Sequence, residues 1–502
     1  MKEMVGTRPQ AKGFALIGLG VGARFVGMAA GTLAGLATIA LAVRLLGTAS
    51  YGALAFAFSA AALFAGIGRL GLEPAVARSV VILQSARDAP GMARVARGAF
   101  TLVALTGLVG AAATLVVIEL ASHGLDQGTR LALGGFFGLV LYGSNFTAVG
   151  SAVARATGRV ALMELAILIP TLGRFAAVAL LAALDVADLR WVAAGYALGA
   201  LAGVVASWRV ARVVLGKVRV FLPGLAAARE VLVGSLPFAV AGLATIVISR
   251  FDVVVLGLSG TRTEVGAYEP ALKVVEQAML LAPLLFVAQY LPVASRVFER
   301  GDADEFRELY VGVSKLVFVM AFPAVIVFAA FPETILHALY GAGFPASGLV
   351  VWLLLVGFVV NLAFGLNSSA LAAVGDRRGL TRTGVIATVA MVVLAVLLVP
   401  PFGDEGAAAA TSATYVVLNA VVAFELVRVA GVQPFRTDFV LTLLSSLGPL
   451  LVALAIRAWA GPVDFWQAIG SSVALSAIWV ALLFGLRVIR RDEIRRLLPG
   501  GK

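Results

Sequence analysis

Cysteine is absent from all 502 residues, and histidine occurs only twice, as His123 and His337. Without a thiol there is no disulfide, thiolate metal site, haem attachment or cysteine nucleophile. Two histidines leave almost no raw material for a histidine metal site or a Ser-His-Asp triad. Each falls near the end of an apolar run and reads chiefly as an interfacial polar residue. His337 follows Glu333 by four residues, so a helical pair or a proton site there is the alternative. Charge is scarce as well, at 13% of the chain, about half the share in ordinary soluble domains. No phosphate-binding loop, no paired carboxylates in a soluble segment and no nucleophile motif is present. Every loop is too short for an ATPase domain. These absences speak against an enzyme and against any cofactor or metal. They leave an ion gradient, the membrane potential or a cargo gradient to drive any transport.

What the chain does have is apolar length. It is 61% hydrophobic with a mean hydropathy of +1.02, the signature of an all-α polytopic membrane protein. The start MKEMVGTRPQAKG is polar and basic, and the run behind it is too long for a cleaved signal peptide. Apolar runs able to cross a hydrocarbon core of about 30 Å lie near 17–43, 52–72, 97–119, 131–153, 160–184, 191–214, 231–257, 270–294, 311–336, 347–373, 380–401, 405–428, 438–458 and 464–487. The expectation is about fourteen transmembrane helices.

The formal net charge of +12 comes from short basic clusters between apolar runs, so it sets topology and does not imply nucleic acid. Most of the 39 basic residues fall on the side of the N-terminus; only Arg44, Arg130, Arg190, Arg262 and Arg457 fall on the other. That asymmetry predicts a cytoplasmic (inner) membrane protein with both termini cytoplasmic. The stretch GKVRVFLPGLAAARE divides the chain. The expected organisation is a six-helix lobe over 1–214, an interfacial connector over 215–230, a second six-helix lobe over 231–430, and two extra helices with a basic tail over 431–502. Segments 296–310 and 486–498 read as amphipathic surface helices. The tail serves as an orienting anchor or as a lipid-headgroup contact. LLGTASYGALAFAFSA after the first run and LGLSGTRTEVGAYEPALKV after the seventh suggest an internal repeat. Such a repeat places the lobes about a pseudo-two-fold axis along the membrane normal, with a site between them.

Four basic residues fall inside apolar runs: Arg24, Arg174, Arg250 and Lys273. A charge at the bilayer centre costs about 2.5–3.5 kcal/mol on insertion scales, so such residues face a bundle interior or a wet pathway. The arginines suit bidentate contact with phosphate oxygens. Asp252, Glu276 and Glu164 are the acids to weigh beside them. Glu269, Lys273 and Glu276 form one stripe at spacings of four and three, whereas Arg250 and Asp252 point about 200° apart. Asp252 and Glu276 are therefore candidates for internal pairing or ion coupling. A surplus of cations favours an anionic cargo. A cation-coupled drug or metabolite exporter would depend instead on Asp252 or Glu164.

The run VRLLGTASYGALAFAFSAAALFAGIGRLGLEPAVARSV at 43–80 resembles the opening of the polysaccharide-transporter branch of the multidrug/oligosaccharidyl-lipid/polysaccharide (MOP) flippases. ISRFDVVVLG at 248–257, LYGAGFPASGLVVWLLL at 339–355 and LAAVGDRRGLTRTGV at 371–385 extend the resemblance over about 15–430. It implies an alternating-access flippase that carries an undecaprenyl-pyrophosphate-linked oligosaccharide to the outer leaflet, with membrane lipids and glycan-assembly enzymes as partners. It also implies that Arg24 and Lys273 receive the pyrophosphate, as cations in those spans do in the related murein precursor flippases. Arg174 is added from its own position in the chain. The last two spans are similar to a pair that lines a lipid-tail groove.

Overall fold

The computed structural model describes residues 9–69, 71–121, 124–215, 224–433, 435–460 and 463–485. All regular structure among them is helical, in 17 segments. The chain divides into two compact units. One comprises the described residues up to Leu46 together with Ala57–Ile246; the other comprises Gly47–Phe56 and the described residues from Val247 onward.

The first unit holds α1 (Pro9–Leu46), most of α2 (Thr48–Arg69), α3 (Leu72–Ser85), α4 (Ala89–Ala121), α5 (Gln127–Ala156), α6 (Val160–Ala183), α7 (Leu189–Leu215) and the first part of α8 (Leu225–Ser259). Helices surrounded by lipid gain little from apolar burial against each other, so they associate through small residues that let backbones approach. Gly143 of α5 lies against Ala200 of α7, where an added Cβ would meet the Ala200 carbonyl oxygen at 2.6 Å, and Gly150 lies against Ser207. Leu72, Val76 and Val80 of α3 pack with Phe100 and Val103 of α4 and with Phe146, Val149 and Val153 of α5. The left-handed Gly71, at φ 70°, lets the chain turn between α2 and α3. Asp126 caps α5 by accepting from the Thr129 amide at 2.9 Å.

The second unit holds the rest of α2 and α8, then α9 (Arg262–Glu299), α10 (Ala303–Ala330), α11 (Pro332–Tyr340), α12 (Gly348–Phe364), α13 (Asn367–Val374), α14 (Arg377–Ala430), α15 (Thr437–Ser445), α16 (Leu447–Ala460) and α17 (Phe465–Gly485). A capping box between Thr261 and Glu264 starts α9, and Ser347 and Asp376 cap α12 and α14. Those side-chain acceptors satisfy amides that helix geometry leaves orphaned. Phe318 and Phe322 of α10 pack against Trp479 of α17.

Among the described residues, eleven helices are long and apolar enough to cross a membrane, or twelve if α12 and α13, bent by 41° at their break, form one span. Two features separate that count from the expected fourteen. α14 joins two helices across Gly403, whose φ of 56° and ψ of −130° are non-helical. α9, which carries Glu264, Glu269, Lys273 and Glu276, is not among the eleven. Segment 296–310 is not one separate helix: 296–299 end α9, the chain turns through Gly301, left-handed at φ 76°, and 303–310 open α10, capped by Asp302. Residues 216–223 of the connector, His123 and the tail 486–498 lie outside the described residues, while 225–230 form the start of α8.

Candidate functional site

Two charged interiors stand out, one in each unit. In the first, a cavity of about 340 Å³ opens among α2, α3, α5, α6 and α7, lined by Arg69, Arg155 and Arg174, with Glu73 the one carboxylate among its described lining residues. Arg69, the last residue of α2, donates from Nε to Asn145 Oδ1 at 3.1 Å, from Nη2 to Ser144 Oγ at 3.2 Å and from Nη1 to Glu73 Oε1 at 3.4 Å. Arg174 is held differently. Its guanidinium carbon lies 4.9 Å from the Tyr196 ring centroid and 5.6 Å from that of Phe58. Its Nε is buried with no hydrogen-bond partner among the described residues. Stacking on aromatic faces fixes the guanidinium plane without consuming its donors. The close approach of α7 sets that position: a Cβ on Gly199 would stand 2.6 Å from the Pro170 carbonyl oxygen and 2.7 Å from the Arg174 amide nitrogen.

Glu164, on the same α6, is 7% exposed and has its carboxylate against Gly27 of α1. Arg24 falls within α1, but its side chain lies outside the described residues.

The second interior carries the remaining sequence candidates and pairs them. Arg250 of α8 reaches Glu269 of α9 at 3.8 Å, and Tyr51 donates to the other oxygen of that carboxylate at 2.7 Å. Lys273 pairs with Glu276 one turn along α9. Asp252, 1% exposed, accepts on Oδ2 from Tyr268 at 2.6 Å and from Thr411 at 2.8 Å. Its Oδ1 has no partner among the described residues. The α9 stripe is thus split, with Glu269 turned to α8 while Lys273 and Glu276 hold each other. Breaking a buried pair by removing one partner strands the other charge at a cost of about 3–5 kcal/mol. Arg250 and Lys273 therefore offer their charge to an anion only if a carboxylate gives way.

The arrangement brings Arg174 together with two arginines that loop counting placed at cytoplasmic helix ends, Arg69 and Arg155. Arg69 is the last residue of α2 and Arg155 the last but one of α5, and Ser144 and Thr147 line the cavity with them. No group of three or more His, Asp or Glu able to hold a metal occurs among the described residues.

A family model described as Polysaccharide biosynthesis protein matches residues 41–347. The probable low-salt glycan biosynthesis flippase Agl15 of Haloferax volcanii is 26% identical over 172 residues; the match spans 34% of this chain and 36% of that relative's length. Among solved structures, the lipid II flippase MurJ in its inward closed conformation aligns with a TM-score of 0.68 at 13% identity, covering 91% of this chain and 100% of that one. An inward-facing multidrug resistance MATE family transporter of the MOP superfamily aligns with a TM-score of 0.64 at 20% identity, covering 80% and 95%. At these identities the likeness to the solved structures is one of fold.

Proposed function

We propose a function from one established premise: the chain belongs to the polysaccharide biosynthesis protein family. On this reading it is a transporter, a flippase that carries a lipid-linked, undecaprenyl-pyrophosphate-type oligosaccharide from the cytoplasmic to the outer leaflet of the cytoplasmic membrane by alternating access. Both termini lie on the cytoplasmic side, and the protein hands its cargo to glycan-assembly enzymes. The observation that carries the reading is the arginine-lined cavity of the first unit, with three guanidinium groups to one carboxylate. The Arg174 Nε donor, buried and unpartnered, is a group that a phosphoryl oxygen satisfies. A charge-assisted bond of that kind is worth about 1.5–3 kcal/mol. The name of the Haloferax relative, a glycan biosynthesis flippase, supports the same cargo class.

Asp252 supplies the coupling group in this reading. Its carboxylate is buried with hydroxyl donors rather than cations on it, so no side-chain cation has to be displaced before a coupling ion meets it. That feature also favours the second reading, a cation-coupled drug or metabolite exporter. The two are separated in proteoliposomes loaded with a short-chain polyprenyl-pyrophosphate oligosaccharide, whose arrival in the opposite leaflet is read by lectin capture. The flippase reading expects transfer that falls at least tenfold in Arg174→Ala and is partly kept in Arg174→Lys. Transfer of small organic cations with no transfer of the glycolipid overturns it.

A further inference from the structure

A second cavity, of about 670 Å³, lies elsewhere in the second unit, among the end of α10, α11, the last turn of α16 and the start of α17. Its polar residues are Glu333, Thr334, His337 and Arg457, and Phe465 supplies an aromatic face. None of them belongs to the site described above. Arg457 donates from Nη2 to Glu333 Oε1 at 3.1 Å, and its guanidinium carbon lies 5.1 Å from the Trp352 ring centroid. The absence of a side chain on Gly348 leaves the space that the Glu333 carboxylate occupies. His337 Nε2 lies 3.1 Å from the Phe344 carbonyl oxygen. A carbonyl only accepts, so Nε2 carries a proton and donates to it. Thr334 is tied to the Val463 carbonyl oxygen at 3.3 Å.

The cavity thus combines fixed donors and acceptors, and its Arg457 and Glu333 charges offset each other. A phosphate would compete with Glu333 for Arg457, whereas neutral hydroxyls accept from the guanidinium and donate to the carboxylate, and meet the His337 ring beside them. Trp459 and Trp466, beside Arg457 and Phe465 in the chain, are 92% and 78% exposed. Tryptophans of that kind mark the level of the membrane-water interface, where the sugar part of a glycolipid stands. The volume falls in the range of about 300–1,000 Å³ typical of small-ligand sites.

We propose that this cavity binds a neutral sugar unit, through the Glu333–Arg457 pair and His337, with Phe465 packing on the ring. It deepens the flippase reading and rests on it for the biological source of the sugar, but binding is measurable apart from transport. Purified full-length protein in phosphatidylcholine nanodiscs is titrated with maltotriose, mannotriose and chitotriose, and separately with short-chain phosphatidylglycerol, following tryptophan fluorescence. The proposal expects a saturable response to at least one trisaccharide. That response should weaken at least tenfold in both Glu333→Gln and His337→Ala, each melting like the parent, and stay unchanged in Arg174→Ala. No saturable response to any of the trisaccharides overturns it, as does a response indifferent to both variants or one given only by the anionic lipid. Failure of the flippase reading shows separately, as glycolipid transfer that survives Arg174→Ala.

Discussion

Replacing Gly199 with alanine is the sharpest perturbation of the arginine cavity that touches none of its charges. The new Cβ would stand 2.6 Å from the Pro170 carbonyl oxygen and 2.7 Å from the Arg174 amide nitrogen, where ordinary contact begins at 3.4 Å. Both neighbours are backbone atoms of α6, so no side chain can rotate aside and the two helices must part. Overpacking of this kind costs about 1–3 kcal/mol. A helical glycine-to-alanine change returns roughly 1 kcal/mol of propensity, so the expected net loss is about 0–2 kcal/mol, towards the upper end because both close contacts are rigid backbone. The shift also carries the Arg174 backbone away from Tyr196 and Phe58. Gly135→Ala on α5 is the control, because nothing stands within 4 Å of its Cβ position; there only the propensity gain applies. Thermal unfolding in detergent, followed by tryptophan fluorescence, should rank Gly135→Ala at or above the parent and Gly199→Ala clearly below it. Glycolipid transfer should fall in Gly199→Ala alone. A Gly199→Ala protein that melts with the parent and transports normally would refute the packing argument and the placement of Arg174.

Three further outcomes are expected. Tyr196→Leu removes the closer of the two rings that hold the Arg174 guanidinium and should weaken binding of inorganic pyrophosphate by about twofold to thirteenfold, from roughly 0.5–1.5 kcal/mol of lost cation-π attraction; calorimetry on the detergent-solubilised protein checks it. Asp252→Asn keeps the size of the side chain and should leave the melting temperature nearly unchanged while abolishing the dependence of transfer on an imposed ion gradient, read in vesicles with and without the gradient. At the start of α5, the side-chain and backbone hydrogen bonds from Thr129, followed by Arg190, hold the Asp126 carboxyl at about 2, below its ordinary 3.8. Because the folded value is the lower one, its contribution to the cap is fully present above about pH 4 and is lost as pH falls towards 2. Carboxyl carbon NMR should show this titration in the parent and a return towards 3.8 in Thr129→Val.

The helical architecture was legible because apolar runs and basic loops are local signals. Arg174 was legible for the same reason, as a cation inside a run with no acid nearby. Arg69 and Arg155 were not, because a basic residue at a helix end reads as a topology signal, and only the approach of α5 to α2 turns Arg69 inward onto Asn145. The Asp252 to Thr411 bond joins positions 159 apart in the chain, and no spacing rule reaches across that interval. The pairing of Arg250 with Glu269, not with its near neighbour Asp252, follows from the turn between α8 and α9. A single-helix pattern does not contain that turn. The span count differs where the chain departs from uniform helices, at Gly403 and along the charged α9.

Central to the account is that the arginine cavity of the first unit receives the pyrophosphate of a lipid-linked glycan. The most direct measurement is the rate of polyprenyl-pyrophosphate oligosaccharide transfer in proteoliposomes with parent protein, Arg174→Lys and Arg174→Ala at matched incorporation. That rate should decrease in that order, with Arg174→Ala at least tenfold below the parent and resistant to the inorganic pyrophosphate that inhibits the parent. Equal rates in all three, or inhibition of Arg174→Ala by pyrophosphate as strong as that of the parent, would contradict it.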